Sequence, residues 1–470
     1  MNKGASMTSV KEHIEKARSG EVDLKAFMEE VMERTRAIQE KYTPFITIND
    51  NPAPPASKGM LYGLPISVKD CLCTKGLRTT AGSKILNNYI PPFDATAVSR
   101  SLSEGAFLIG KTAMDEFGFG TFSTNCAYSI PKNPSDPERS CGGSSGGAGC
   151  VSAAADFPHV AIAESTGGSI TAPAAFTGTV GITPTYGRVS RWGLIDYANS
   201  LDKIGVMGKE VYDVALVLSA ISGEDPLDST SHGGGREDFT KSLKGGIAGM
   251  KIGVPKEYFG EGVDERISAL VWKRIKELEG EGAAYEEISL PLTEYSIPSY
   301  YLIAMSEAST NLSKYCGLRY GLHGELSGNF EEYFSKVRSE GFGDEAKRRV
   351  VLGTYARMAG FREAYYLKAL KVRSKIINEF RGAFKRFDVI ATPSMPVLPP
   401  KFSEIGGLTP IQGYMMDILT VAPNLAGMPM ISLPAGRIGG LPAGIHFIAD
   451  QMGEDSLFRV AAFSEGLEWK

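Results

Sequence analysis

The sequence predicts an α/β fold with a covered sheet. Stretches with helical spacing alternate with short apolar runs along almost the whole chain. Of 470 residues, 43 % are apolar and 22 % charged, enough apolar material for a sizeable core and too much for a disordered chain. No internal repeat is visible, so a solenoid or propeller is not indicated.

Two helices are predicted first, over 8–20 and 23–41. Asp23 is placed to cap the second, and Leu24, Phe27, Met28, Val31, Met32 and Ile38 follow helical spacing along one face. Phe45 to Ile48 is a short strand, and Asn51 to Gly59, rich in proline, is a loop. In Leu61-Tyr-Gly-Leu-Pro-Ile-Ser-Val-Lys-Asp70, Ile66 and Val68 alternate with Ser67 and Lys69, which predicts a strand ending at the lysine. A lysine at that place is ordinarily solvated, but this one is set among apolar residues. Residues 95–104 read as helix and Ala106 to Ile109 as strand. Farther on, Thr183 to Ser190 reads as turn and strand, and Val211 to Ile221 as an apolar helix. Residues 223–248, rich in Gly, Ser and charge, mark a boundary between two halves. Strands are predicted at Lys251–Val254, Asp388–Ala391, Met430–Leu433 and Ile445–Ile448, and helices at 264–280, 299–314, 345–384 and 454–466.

Composition excludes some functions. The net charge of −4 does not make a nucleic-acid-binding surface, although a partner can supply one. No apolar run reaches membrane-spanning length, and the first residues lack the apolar core of a secretion signal, so a cytoplasmic protein is expected. Six scattered cysteines form no CxxC pair, and five histidines show no ligand spacing. Buried thiols and no metal site are expected. Two motifs mislead. Gly105 to Thr112 fits the P-loop pattern GxxxxGK[ST], but its four middle residues are themselves the apolar strand, which leaves no phosphate-wrapping loop. Gly143-Ser144-Ser145-Gly146-Gly147 fits the nucleophile-elbow pattern GxSxG, but a loop, Pro131 to Pro137, precedes it instead of a strand, and nothing marks His446 as its histidine.

The chemistry concentrates between Cys141 and Gly178. Ser145 and Ser169, framed by glycines, stand 24 positions apart. Glycine at this density costs backbone entropy, and its uses are unusual dihedrals or free N–H groups that hold an anion. Thr166-Gly167-Gly168-Ser169 lies between the apolar run Val160-Ala161-Ile162-Ala163 and a helix start near Ile170. A serine there reads as a nucleophile, with the N–H groups of Thr166, Gly167, Gly168 and Ser169 as its oxyanion hole. An ordinary helix-capping serine is the plainer alternative.

Gly-Leu-Pro-Ile-Ser-Val-Lys-Asp, Gly-Gly-Ser-Ser-Gly-Gly and Thr-Gly-Gly-Ser-Ile followed by Pro173-Ala174-Ala175 together resemble the amidase signature family. Nearly the whole chain takes part: Pro184 to Leu194, Ala198 to Gly205, Asp225 to Thr230, Lys347 to Thr354 and Pro423 to Gly427 resemble the glutaminase branch that serves tRNA-dependent amidotransferases. The resemblance implies one large domain over 1–470, with a mixed central sheet covered by helices on both faces. It also implies a Ser–Ser–Lys triad, with Ser169 the nucleophile, Ser145 the bridging serine after a cis peptide bond, and Lys69 the base. A serine hydroxyl needs such a base, a buried lysine can serve if it is neutral, and a second hydroxyl can relay the proton. Glutamine carries a carboxylate and an ammonium; by resemblance Arg349 binds the first and Asp417 the second, with Tyr300 lining the pocket. Arg349 stands in a basic triplet that otherwise reads as solvated, and Asp417 in an apolar run where a lone carboxylate is uncommon without a partner.

The implied activity is hydrolysis of L-glutamine, with ammonia passed to partner subunits B and C that hold mischarged Glu-tRNA(Gln) or Asp-tRNA(Asn). ATP and Mg are implied for the partner, and no cofactor or metal for this chain. The second reading is a free-standing amidase for small amides. The third, a silent scaffold, is opposed by the intact triad residues. Departures from the family pattern are Ser165 for Asp, Thr171-Ala172 for Arg-Gln, and Ala148 for serine.

Overall fold

The computed structural model describes residues 8–232, 234–326 and 328–467. It opens with α1 (Val10–Ser19) and α2 (Leu24–Tyr42). Ser9 caps the first by accepting from the Glu12 N–H, and Asp23 caps the second by accepting from the N–H groups of Lys25 and Ala26. Then come β1 (Phe45–Ile48), β2 (Pro65–Lys69), α3 (Thr96–Ser103), β3 (Phe107–Thr112) and a small hairpin, β4 (Lys132–Asn133) with β5 (Asp136–Ser140). The first half closes with α4 (Gly146–Ala154), β6 (Val160–Ser165), α5 (Thr171–Thr177), β7 (Val180–Thr183), β8 (Lys203–Gly208) and α6 (Val211–Ile221). The second half holds β9 (Lys251–Pro255), α7 (Glu265–Gly280), β10 (Ala284–Ile288), α8 (Ser296–Asn311), α9 (Phe330–Gly341), α10 (Asp344–Arg357), α11 (Lys368–Phe384), β11 (Val389–Pro393), β12 (Met430–Ile438), β13 (Leu441–Ile448) and a final helix, Glu454–Gly466.

Among the described residues eleven strands join in one sheet, in the order β1-β3-β2-β6-β8-β7-β12-β13-β11-β9-β10. Strand β2 runs parallel to β3 and β6, and β9 parallel to β10 and β11; the other pairs are antiparallel, so the sheet is mixed. The halves meet where β7 pairs with β12, so one sheet crosses the 223–248 stretch. Side chains of β6 alternate between two packed faces. Ala161 and Ala163 pack with Ala148 of α4 and Ala174 of α5, where small residues let the helices sit close to the sheet. Val160 and Ile162 join the larger core that includes Val214 and Val217 of α6.

Several local expectations are corrected. The 345–384 helix is two, broken after Arg357 with Gly360 at φ +87°, a conformation only glycine adopts cheaply. Past Thr183, the predicted strand up to Ser190 reduces to an isolated bridge from Val189 to Ser222. The loop before Cys141 contains the β4–β5 hairpin. Strand β8 escapes pattern reading because it is buried on both faces and starts with a lysine. That lysine, Lys203, is satisfied inside by donating to the Met428 carbonyl at 2.8 Å. The P-loop-like segment is β3: Lys111 is buried and donates to the Leu72 carbonyl and Thr79 Oγ1, each at 2.7 Å. His446 is buried in β13, opposite Ser432 and Thr392. Among the described residues no helix is long and apolar enough to cross a membrane.

Candidate active site

Because β2 and β6 are parallel neighbours, with Val68 opposite Ile162, their C-terminal ends bring Lys69 and Glu164 to one edge of the sheet. Antiparallel β8 begins there too, with Lys203 opposite Ser165, so Asp202 arrives at the same edge. Lys69 is fully buried. Its Nζ donates to Ser144 Oγ at 2.8 Å, to the Glu164 carbonyl at 2.9 Å and to Glu164 Oε2 at 2.8 Å.

The partner of Lys69 is therefore Ser144, not Ser145. Ser145 caps α4, and its hydroxyl donates to the Glu164 carbonyl at 2.9 Å. Adjacent residues at a helix entrance aim their side chains differently, and the one outside the helix faces the lysine. The cis peptide bond is Gly143–Ser144, one residue earlier than a bridging Ser145 requires.

Ser169 lies in the turn between β6 and α5 and is 7 % exposed. Its carbonyl accepts from the Ser145 N–H at 3.2 Å, which ties the two glycine-rich loops together. Glycine is required on either side of this turn's crest by close approach. A Cβ on Gly168 would lie 2.5 Å from Thr420 Oγ1, and one on Gly167 would lie 2.8 Å from the Tyr300 hydroxyl. Among the described residues, the N–H groups of Gly167, Gly168 and Ser169 make no hydrogen bond within the protein, as an anion-binding turn needs.

Of the remaining predicted residues, Tyr300 touches this turn, and Asp417 and Arg349 both lie against its neighbour Tyr301. Tyr300 on α8 packs edge-on against Tyr301, with ring centroids 5.0 Å apart, and Tyr301 stacks on Tyr414 at 4.2 Å. Tyr301 donates its hydroxyl to Asp417 Oδ2 at 2.6 Å, and Thr121 donates to Oδ1 at 3.0 Å. Burial pushes the Asp417 carboxyl above the usual carboxylate range, and these two hydrogen bonds pull it part of the way back. Arg349 is buried rather than solvated, because Ala346, Arg349, Gly353 and Ala356 form the inner face of α10. Its Nε donates to Glu345 Oε1 at 2.8 Å, its Nη1 donates to the Tyr197 hydroxyl, and its guanidinium lies 5.3 Å from the Tyr301 ring. A cleft of about 710 Å³ opens here, lined by Phe119, Thr121, Phe122, Arg349, Leu408 and Tyr414.

Sequence reasoning missed Ser144, Glu164, Asp202, Tyr301 and Tyr414. Glu164 carried a usable signal, as the one charged side chain in the strand Val160–Ser165. Its Oε1 lies 2.8 Å from Thr166 Oγ1, which lies 2.8 Å from Asp202 Oδ1. Thr166 Oγ1 therefore sits between the two carboxyls and shares its one proton between them. Burial, and then the charge of Glu164, push the Asp202 carboxyl well above its ordinary range, while the N–H groups of Tyr197 and Ala198 donate to it at 2.9 to 3.0 Å.

A family model described as Amidase matches residues 8–458. The A subunit of glutamyl-tRNA(Gln) amidotransferase from Geobacillus kaustophilus is 45 % identical over 464 residues, covering 96 % of this chain and 95 % of that protein. The protein of the same name from Moorella thermoacetica is 47 % identical over 412 residues, covering 87 % and 84 %. The crystal structure of the Thermotoga maritima protein, again the A subunit of glutamyl-tRNA(Gln) amidotransferase, superposes with a TM-score of 0.79 at 36 % identity, covering 92 % of this chain and 90 % of that one. A 6-aminohexanoate cyclic dimer hydrolase shares the fold, with a TM-score of 0.85 at 22 % identity and coverage of 99 % and 97 %.

Proposed function

The chain belongs to the amidase family, and we propose that it is the glutamine-hydrolysing subunit of a tRNA-dependent amidotransferase, with Ser169 as nucleophile, Ser144 as bridging serine and Lys69 as base. The observation that carries this reading is the buried Lys69–Ser144 hydrogen bond beside the Ser169 turn. Ser144 passes its proton to Lys69 and takes one from Ser169. Ser169 Oγ then attacks the side-chain amide of glutamine. The N–H groups of Gly167, Gly168 and Ser169 face the developing oxyanion. The tetrahedral intermediate collapses as its nitrogen takes the proton back through Ser144, and ammonia leaves. Water, activated by the same relay, hydrolyses the glutamyl ester and restores Ser169.

Glutamine enters by the cleft lined by Arg349, Thr121 and Tyr414. Arg349 takes its α-carboxylate, Asp417 its α-ammonium, and Tyr300 lines the pocket. The freed ammonia goes to partner subunits B and C, which hold mischarged tRNA and use ATP and Mg; the assembly works in the cytoplasm. The near-neutral surface charge supports leaving the tRNA to a partner.

The test is a glutaminase assay on the purified chain, with and without the partner subunits, ATP and mischarged tRNA. The expected result is glutamate release that depends on Ser169 and grows when the full set is present. Turnover of simple amides with no turnover of glutamine under any of these conditions would instead mark a free-standing amidase.

A further inference from the structure

Lys69 makes three hydrogen bonds, and an ammonium has three protons to give. In that state the nitrogen has no lone pair and cannot act as a base. Of its three partners, the Ser144 hydroxyl and the Glu164 carbonyl are poor proton acceptors. The Glu164 carboxylate is a good one. Oε2 lies 2.8 Å from Nζ, and the two side chains are 4 % and 0 % exposed. In such a dry place an ion pair gains little over its neutral tautomer, since moving one proton removes two buried charges.

We infer that Glu164 is a positioning residue that stores the proton of the Lys69 base, an inference that rests on the reading of Lys69 as that base. One Nζ–H bond breaks, its electron pair stays on nitrogen, and the proton forms an O–H bond with Oε2; the pair remains neutral in total. Ser144 then turns its own O–H toward Nζ and accepts the proton of Ser169 on Oγ. When the leaving nitrogen is protonated, the relay returns that proton from Nζ through Ser144. Glu164 keeps its stored proton until the cycle ends, so no step waits for exchange with solvent.

The surroundings support a carboxylate that is polarised yet free to take a proton. Thr166 lies within donating distance of Oε1, and Asp202 Oδ1 stands behind Thr166, 2.8 Å from the same hydroxyl. Titratable groups near the pair include Cys71, just past the end of β2, with Lys111 and Asp70 beside it, Tyr197, whose ring flanks Gly118 with Glu164, and Asp115, in the loop after β3, with the Arg349 cation from α10 acting on Asp115. Asp115 is occupied by the N–H groups of Ser123 and Asn125, at 2.8 and 2.9 Å, and burial pushes the Cys71 thiol up and keeps it neutral. Neither is hydrogen-bonded to Nζ, which leaves Glu164 as its acceptor.

The experiment is the pH profile of kcat/KM for glutamine hydrolysis by the full chain, together with whatever partner subunits activity requires. Glu164→Gln keeps the side-chain shape and an acceptor oxygen but cannot take the proton, so Lys69 must lose it to solution. The expected result is an acid limb displaced to higher pH by about one unit or more, with roughly tenfold loss near pH 6 and activity within about threefold of wild type near pH 9. Should that variant not fold, Glu164→Ala removes the side-chain acceptor altogether and must show the same displacement. An acid limb that stays in place or moves to lower pH overturns the inference. Lys69→Ala separates the two claims. Activity in that variant would sink the base assignment itself, whereas an inactive Lys69→Ala beside an unshifted Glu164→Gln sinks only the role of Glu164.

Discussion

Lys69 Nζ donates to Ser144 Oγ at 2.8 Å with both residues fully buried, at the point where the glycine-rich loop before α4 passes the end of β2. That contact orders the site. It joins an amine on a central strand to a hydroxyl on the loop that Ser145 N–H ties to the Ser169 turn.

Ser169→Ala is expected to lower glutamine turnover by about 10³-fold or more, since the residues of such a relay act as a unit. Among the described residues the hydroxyl makes no hydrogen bond on which the fold depends, so the melting temperature should stay within about 1 °C of wild type. Undiminished turnover would remove Ser169 from the mechanism.

Gly168→Ala tests the tightness of the turn. The new methyl would lie 2.5 Å from Thr420 Oγ1, and relief requires moving the N–H groups of this turn, which we propose face the oxyanion. Loss of an aligned donor costs about 10²-fold in kcat. A variant with normal kcat would mean that these groups do not bind the oxyanion. Thr420→Ala in the same background should restore part of the rate.

The Arg349–Asp417 pair makes a claim about substrate. Arg349→Ala and Asp417→Asn should each raise KM for glutamine by about 10- to 100-fold, the worth of one charge-assisted hydrogen bond, while turnover of a simple amide without the α-groups survives. Equal losses on both substrates would argue for structural roles. There is a pH corollary. Burial raises the Asp417 carboxyl, and it must be ionised to hold an ammonium. The KM for glutamine should therefore climb as pH falls, beginning above the ordinary carboxylate range, and Asp417→Asn should flatten that rise.

Asp213 offers a test of stability away from the site. It is buried in the first turn of α6, and burial pushes its carboxyl up to about 8. The native state then holds a proton that the unfolded chain has already lost, so this group's contribution to stability is intact near pH 4 and falls as pH rises toward 8. Asp213→Asn keeps an acceptor for the Glu210 N–H. Its melting temperature relative to wild type should be higher at pH 8 than at pH 5, by about 4 °C in a chain of this size. The opposite sign would show that Asp213 is ionised in the fold.

What the sequence disclosed, and what it did not, follows from the range of each signal. Lys69 and Ser169 were legible because each sits at a recognisable junction, a strand end and a glycine-rich strand-to-helix turn. The pair Ser144-Ser145 was not separable by pattern. Two identical residues side by side differ only in where the backbone points them, and that is set by packing against Asp115 and Ser123, far earlier in the chain. Arg349 was visible only through resemblance; its burial depends on α10 lying against α8 so closely that Gly353 tolerates no side chain against the Met305 carbonyl. Strands β8 and β10 were missed for opposite reasons, the first buried on both faces and the second largely exposed, so neither alternates. The helix read as unbroken from 345 to 384 kept its periodicity on both sides of the break, and Gly360 was its one local mark.

The most direct measurement compares Ser144→Ala with Ser145→Ala in the glutaminase assay, at equal folded concentration. The arrangement at Lys69 predicts that Ser144→Ala loses about 10²- to 10⁴-fold in kcat, the range for a lost proton relay, and that Ser145→Ala keeps most of its turnover. The reverse outcome, with Ser145 essential and Ser144 dispensable, would contradict it.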